Sequence, residues 1–357
     1  MCIRDRFYFI VKELVDSEPF LSMERSNQPG VYYGRVTRPV VWFLLAKLAL
    51  NAEVYADDDW TDGSRPDGKS LFFEVDGQSL NAWQTVCRYG EKLAAAGYSL
   101  EEDYTANFAV FNESSKENIF VIPMDKTLYA NQFIYLFRSR HYNHAKAYGL
   151  GGENGASATK EVLEAFGYDT PQVDARFDYC YFAGPVNDLE GRQVMLDDGV
   201  TPLVYEPWKV ALDVSGQPWE KTAGARMKKY EVDPTALKDG KLLDNDIVLF
   251  RYADMLLMQS EAKVRNGENG DAELNRVRSR VGMPPQTATL DCLLEERMRE
   301  LAWEGWRRQD LIRFGRFTRA YSDRPQLPGE ENGYTTVFPI PEKVVGMNPN
   351  LYQHKGY

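Results

Sequence analysis

Two carboxylates bracket the segment Glu304-Gly-Trp-Arg-Arg-Gln-Asp310, and a pair of carboxyl groups is what glycoside hydrolysis needs for its acid and base. Six residues apart on a helix that turns about 100° per residue, they point roughly 120° away from one another. Arg307, Arg308 and Arg313 stand close by as partners. The segment therefore reads as structural ion pairs that fix a helix end. His141 and His144 are three residues apart, so on a helix they share a face and have the spacing of a metal-binding pair. No Cys or carboxylate sits at ligand spacing beside them and no His-Glu-x-x-His occurs, which leaves non-metal roles as the expectation. The acidic run Asp57-Asp-Asp-Trp-Thr-Asp62-Gly63 hints at calcium. Counted from Asp58, an EF-hand loop would place Trp60 and Lys69 where it needs oxygen ligands, so that motif fails. A structural Ca²⁺ held partly by loop carbonyls stays open, and no other cofactor is expected. No glycine-rich phosphate loop and no Gly-x-Ser-x-Gly elbow is present.

Aromatic side chains with polar tips are a second kind of chemistry. Such a ring packs on the apolar face of a sugar and hydrogen-bonds at its rim. In the middle of the chain Tyr129, Tyr135, Tyr142, Tyr148, Tyr205, Trp208 and Trp219 are the candidates, with Arg138, Arg140 and Asn143 as hydrogen-bond suppliers. Tyr135, Tyr142 and Tyr148 stand out because they lie in a Gly- and Asn-rich stretch where core packing is less expected. For each ring taken singly, core packing is the competing reading.

The elements that must position these groups change character along the chain. Phe7 to Leu14 reads as the end of a helix, and Ser17 to Gly30 as a loop. Thr37-Arg38-Pro39 opens the next helix, with Thr37 as cap and an apolar stripe running to Ala52. A further helix is predicted from about Ser79 to Ala96, stopped by Gly97. From Asn118 to Leu243 the chain is rich in Gly, Pro, Tyr and Asp, with an extended run at Ile119–Ile122 and one short helix near Val162–Phe166. Helices return at Ile247, with Tyr252, Met255, Leu256, Gln259 and Ala262 on one face. Asp271 to Val281, capped by Asp271, and Leu290 to Trp303 follow, with Glu295 and Arg299 as an outer i,i+4 pair. Helix pairs with short Gly turns and small residues such as Ala253 and Ala262 at the crossings suggest tetratricopeptide-like packing.

Composition removes several classes. The 357 residues include 42 Lys and Arg against 53 Asp and Glu, a net charge of −11, which disfavours binding to nucleic acid phosphates. Apolar residues make up 43%, so the chain can build a large core without staples. Its most apolar run, Val40 to Ala52, is interrupted by Lys47 and Asn51 and is too short to span a membrane. Cys2, Cys87, Cys180 and Cys292 are scattered, which excludes a zinc ribbon or a disulfide-dense module; Cys87 and Cys180 read as small buried hydrophobes. Residues 1–6 lack the pattern of a secretory signal and lead into a helix at Phe7 without a cap. The expectation is a non-native start on a chain truncated at its N-terminal side.

The last third resembles the SusD/RagB family of nutrient-binding lipoproteins. The carrying segments are Asn245-Asp-Ile-Val-Leu-Phe-Arg-Tyr-Ala-Asp-Met-Leu-Leu-Met-Gln-Ser-Glu-Ala262, Leu274-Asn-Arg-Val-Arg-Ser-Arg280, Glu295 through Arg313, Phe338-Pro-Ile-Pro341, Asn348-Pro-Asn-Leu351 and Gly356-Tyr357. Looser matches at Gly34-Arg-Val-Thr37, Leu50–Tyr55 and Ser115–Phe120 extend it over nearly the whole chain. The resemblance implies a mainly α, SusD-like fold, with tetratricopeptide-like repeats packed against an irregular, loop-rich ligand-binding half. Residues 7–357 would form one domain: 7–117 helical, 118–245 irregular and ligand-binding, 246–357 helical. It implies an outer-membrane lipoprotein on the extracellular face of Bacteroidetes-type cells, anchored through a segment missing here. It also implies a SusC-like TonB-dependent transporter as partner, a glycan as ligand, and no catalysis. The rival expectations are a glycoside hydrolase and a helical-repeat peptide-binding scaffold.

Overall fold

The apolar stripe after Thr37 does form a helix, and it is buried on nearly every side. The structure, a computed structural model, describes residues 3–128, 138–321 and 323–357. Its first part carries α1 (Ile3–Ser17), α2 (Arg38–Leu50), α3 (Ala52–Tyr55), the hairpin β1 (Phe72–Val75) and β2 (Gln78–Asn81), and α4 (Ala82–Ala95). The middle carries β3 (Asn118–Ile122), α5 (Tyr142–Ala147), α6 (Lys160–Phe166) and α7 (Arg176–Cys180). Four two-residue strands follow there: β4 (Tyr181–Phe182), β5 (Gly184–Pro185), β6 (Val204–Tyr205) and β7 (Arg226–Met227). The last part has β8 (Ile247–Arg251), α8 (Tyr252–Asn266), α9 (Asp271–Arg280), α10 (Leu290–Glu300), α11 (Arg307–Arg313) and α12 (Glu342–Met347).

The helical frame is a stack: α2 on α4, α4 on α8, and α8 on both α9 and α10. Its core joins Val40, Phe43, Trp83, Val86, Leu256, Leu257, Leu274 and Leu293. Close approach at the α4–α8 crossing requires Gly90, where a Cβ would come within 2.3 Å of Gln259. Ala253 and Ala262, the small residues expected at crossings, are fully buried. The α8–α9 turn uses Gly267 in the left-handed region (φ +87°) as a helix stop. The fold is mainly α, with paired helices packed against an irregular half, as the resemblance implies.

Several elements differ from the sequence reading. Ser79–Asn81 lies in β2; α4 begins at Ala82 behind an Asn81–Gln84 capping box. Ile247–Arg251 is a strand, not the start of a helix, and it pairs antiparallel with Asn118–Ile122. Cross-strand pairing with a second buried apolar run outweighs helical spacing there. Thus the extended run at Ile119 is no isolated strand: β3 and β8 close the base of the long irregular excursion between them. Asp271 is the first helical residue rather than the cap, and its carboxylate accepts from Ala288 N at 2.6 Å. Helix α1 starts at Ile3, before Phe7.

Charge is the unexpected content of the interior. Glu300 meets Arg176 at 2.8 Å and Arg251 at 2.6 Å, and also pairs with Arg280. Glu117 bridges Arg251 (2.9 Å) and Arg280 (2.6 Å); Glu296 bridges Arg176 (2.7 Å) and Arg278 (2.6 Å). Glu304 binds Arg251 at 2.7 Å and pairs with Lys229. A second network runs from Lys47 (2.6 Å) through Asp254 to Arg297 (2.7 Å), Asp310 (2.9 Å from Arg297), Arg313 (2.7 Å from Asp310) and Glu261 (2.7 Å from Arg313). Helix α10 supplies both, Glu296 and Glu300 to the first and Arg297 to the second. So Glu304 and Asp310 are structural ion pairs, as read. Their partners, however, come from β8, α10 and residue 229. Of the three nearby arginines only Arg313 pairs with either, while Arg307 and Arg308 donate to the carbonyls of Leu294 (2.8 Å) and Thr336 (2.9 Å). Arg299 turns inward to Glu296 at 2.9 Å, and its contact with exposed Glu295 is looser at 3.6 Å.

These charges are held ionised by one another: Arg280, Arg251 and Arg176 hold the Glu300 carboxyl well below the usual carboxylate range against the cost of burial. Removing one partner of such a buried set is expected to cost about 3–5 kcal/mol. Glu300→Ala should show that loss in urea unfolding, whereas Glu295→Ala on the exposed side should change stability by less than about 0.5 kcal/mol.

Asp246 behaves oppositely. It accepts from Tyr33 Oη and from Met124 N (2.8 Å), and burial pushes its carboxyl up to about 6. A raised folded pKa means that the folded state binds more protons between about pH 4 and 6, so this group's contribution falls as pH rises through that window. Asp246→Asn should flatten that part of the stability–pH curve, and unfolding midpoints taken between pH 4 and pH 7 read it directly.

Candidate functional site

Three residues of the irregular half fix the local geometry before any ligand group is placed. His141 caps α5: its Nδ1 accepts from Asn143 N at 3.1 Å. The His141 backbone N–H donates to Tyr205 Oη at 2.9 Å, and Tyr205 Oη lies 3.0 Å from His144 Nδ1. The Tyr205 hydroxyl and His144 Nδ1 thus share one buried hydrogen bond. His144 is fully buried, and burial, with Arg140 next in effect, pushes its ring down to about 3. Its ring stands edge-on to Tyr148 (4.7 Å between centroids) and to Phe182 (4.6 Å). The Arg140 guanidinium lies 5.8 Å from the Tyr148 ring and 5.5 Å from Phe182.

The Gly-rich stretch after α5 serves this packing. Asn154 N donates to Arg140 O (2.9 Å) and Gly155 N to Arg138 O (2.7 Å), so this chain runs against residues 138–141. At Gly152 a Cβ would come within 2.8 Å of Arg140 O. Behind it, Val186, Val194, Leu203 and Tyr205 form a small core under the excursion that β5 and β6 close.

The sequence-derived ligand candidates distribute unevenly over this frame. Tyr142, on the first turn of α5, is 52% exposed. Asn143 donates its amide to Met195 O at 2.9 Å, tying α5 to the excursion. Tyr148 is half-buried at the end of α5, with Phe182 beside it and Lys228 Nζ 5.5 Å from the Phe182 ring. Arg138 is exposed and pairs with Glu153 at 3.1 Å. Trp208 is 41% exposed, donates to Asp169 Oδ2 at 2.8 Å and leans on Tyr168, a cluster of its own. Trp219 is half-buried in a turn where its carbonyl accepts from Thr222 N. Tyr205, only 1% exposed, and buried Arg140 belong to the supporting frame. Tyr129 and Tyr135 lie outside the described residues.

The structure thus places Tyr142 and Asn143 on the first turn of α5 and Tyr148 at its C-terminal cap six residues on, beside Phe182, which no sequence signal distinguished from an ordinary core Phe. Exposed or half-buried rings edged by an amide and an ammonium can stack on a sugar face and hydrogen-bond its hydroxyls. Among the described residues no group of three or more His, Cys, Asp or Glu is placed to hold a metal ion. In the acidic loop Asp57, Asp59 and Asp62 accept from backbone N–H groups two residues on. No helix among the described residues is long and apolar enough to cross a membrane.

Stacked helix pairs around a core, with an irregular half closed by a two-stranded ladder, define the class of fold. The chain belongs to the SusD family, whose model matches residues 116–357. Over 139 residues it is 34% identical to the starch-binding protein SusD of Bacteroides thetaiotaomicron, covering 37% of this chain and 25% of that one. The SusD-like protein P38 of Formosa agariphila is 32% identical over 133 residues, again covering 25% of its length. The matching segments therefore span about a quarter of the length of these curated relatives. In three dimensions 98% of the chain superposes on 70% of surface glycan-binding protein A from Bacteroides thetaiotaomicron, with a TM-score of 0.68 at 20% identity. That likeness shows the fold.

The assignment of His144 has a direct check. Its ring should stay neutral as the pH falls from 8 to 5, and its imidazole ¹⁵N shifts should be flat over that range. Because the folded value lies below the ordinary one of about 6.5, its contribution to stability is full above that pH and is lost as the pH falls below it.

Proposed function

We propose that this chain binds a nutrient glycan at the cell surface without cleaving it and passes it to a TonB-dependent outer-membrane transporter of the SusC type. Membership of the SusD family carries the reading. A structure similar in fold at a TM-score of 0.63 is a surface glycan-binding protein in complex with laminarihexaose, and a curated relative is named for starch. The proposed contact surface is the α5 rim, Tyr142, Asn143 and Tyr148, with Trp208, Trp219 and Arg138 as outlying contacts. Tyr129 and Tyr135 belong to the same proposal. The ligand is a neutral oligo- or polysaccharide, since a chain of net charge −11 does not attract an anion.

A non-catalytic role is supported by the state of the carboxylates that resemble an acid–base pair. Glu304 and Asp310 are both locked in buried ion pairs, so neither is free to exchange a proton with a substrate. The proposed location is the outer face of the outer membrane, through a lipid anchor on a preceding segment.

The test is calorimetric titration with laminarihexaose, maltohexaose and a wider glycan panel. Tyr142→Ala and Tyr148→Ala are each expected to weaken binding about tenfold, which corresponds to about 1.4 kcal/mol per stacking ring. Unchanged affinity in both variants sinks the assignment of the surface. Release of shorter sugars on prolonged incubation sinks the non-catalytic reading.

A further inference from the structure

A cavity of about 400 Å³ lies far along the chain from α5, where the acidic loop after α3 meets the end of α11 and the turns around residue 333. A smaller one of about 190 Å³ adjoins it, and Val54, Trp60, Ile312 and Thr336 line both. The larger volume is within the range of small-molecule sites. Its apolar walls are the Trp60 and Phe317 rings, and its polar groups include Asp57 and Arg65.

The polar groups are fixed but not used up. Asp57 is only 7% exposed, yet one carboxylate oxygen alone is engaged, accepting from Asp59 N at 3.1 Å; Oδ2 has no hydrogen-bond partner among the described residues. That oxygen is available to accept from a ligand donor. Burial pushes the Asp57 carboxyl up. Arg65 is held by the last carbonyls of α11, Ile312 O at 3.1 Å and Arg313 O at 3.3 Å, through Nη1 alone. Arg65 is exposed, and its Nε and Nη2 donors and the half-buried Trp60 Nε1 donor have no protein partner among the described residues. Gly333 sits in the left-handed region (φ +83°), where an added Cβ would come within 3.2 Å of Trp60 O.

One aromatic face, one carboxylate acceptor and several fixed donors are the complement of a pyranose ring, whose hydroxyls each donate and accept. A cation would meet the Arg65 charge, and an anion would meet Asp57, Asp58, Asp59 and Asp62. We infer that the cleft beside Trp60 is a second saccharide site, taking a neutral pyranose unit against the indole with its hydroxyls shared between Asp57 and Arg65. The inference rests on the glycan reading for ligand class only and uses none of the α5 residues.

The test is ¹⁹F NMR of the protein labelled with 5-fluorotryptophan, with the Trp60 resonance assigned by Trp60→Phe. Methyl β-D-glucoside, methyl β-D-galactoside, methyl α-D-mannoside and laminaribiose are titrated separately, to about tenfold above the millimolar range expected of a weak sugar site. The expected result is a saturable shift of the Trp60 resonance with at least one sugar. It should persist in Tyr142→Ala/Tyr148→Ala and weaken about tenfold or more in Asp57→Asn, whose sugar-free spectrum should match the parent's. A Trp60 resonance that no probe moves overturns the site, even if the α5 surface binds glycan. A shift indifferent to Asp57→Asn overturns the assigned contacts. If Trp60 responds and the α5 variants leave all glycan binding unchanged, this site stands and the α5 assignment fails.

Discussion

The structure depends on charges that cannot leave the interior. Glu117, Glu296, Glu300 and Glu304 face Arg176, Arg251, Arg278, Arg280 and Lys229 in a region from which water is excluded. Taking ions out of water costs several kcal/mol each, and only mutual pairing with further hydrogen bonds offsets it. Every member must therefore be present and in register. Glu300 alone joins α7, β8 and α9, since Arg176, Arg251 and Arg280 come from those elements. The elements that carry the networks are thereby tied to α10 by electrostatics as well as by apolar packing.

That arrangement also explains how a long irregular segment is held in one place. The β3–β8 ladder fixes its two ends. Arg176 reaches back from α7 to α10, and Lys229 donates to the carbonyls of Glu300 (3.0 Å) and Ala302 (2.8 Å). Between these anchors the excursion builds small cores of its own, around Phe166 and Phe177 and again around Leu203 and Tyr205. Tyr142 and Tyr148 are presented from a helix whose cap, His141, and whose buried neighbour, His144, are both hydrogen-bonded to Tyr205. A ligand meeting these rings would find them already ordered, which lowers the entropy cost of binding.

Much of the frame was legible in the residue pattern, because 3.6-residue spacing and glycine stops mark helices wherever a face is apolar. Helices α2, α8, α9 and α10 lie close to where the spacing puts them. The pattern misled where extended and helical readings compete over a short apolar run: Ile247–Arg251 has the composition of either, and only its partner at Asn118–Ile122 decides. It misled again at Arg299, because spacing alone cannot tell an outer salt bridge from an inward-facing charge. In the irregular half, composition named aromatic candidates without saying which rings are exposed. Tyr205 and Tyr148 look alike in sequence, and only the small core over Tyr205 separates them. Trp60 and Asp57 drew notice for calcium, whereas the structure gives them a cleft whose far wall, Ile312 and Phe317, lies some 250 residues further on.

The two-stranded base of the excursion has a consequence for how such proteins diversify. Residues 123–246 leave the helical frame at Ile122 and return at Ile247, two positions paired directly across the ladder. The frame thus asks of everything between that its ends meet about 5 Å apart and that Arg176 and Lys229 reach back to Glu296, Glu300 and Glu304. Lengthening such a segment adds little closure entropy, about 0.6 kcal/mol for each doubling. Between those fixed points the excursion can change in length and sequence while the charged interior keeps its partners.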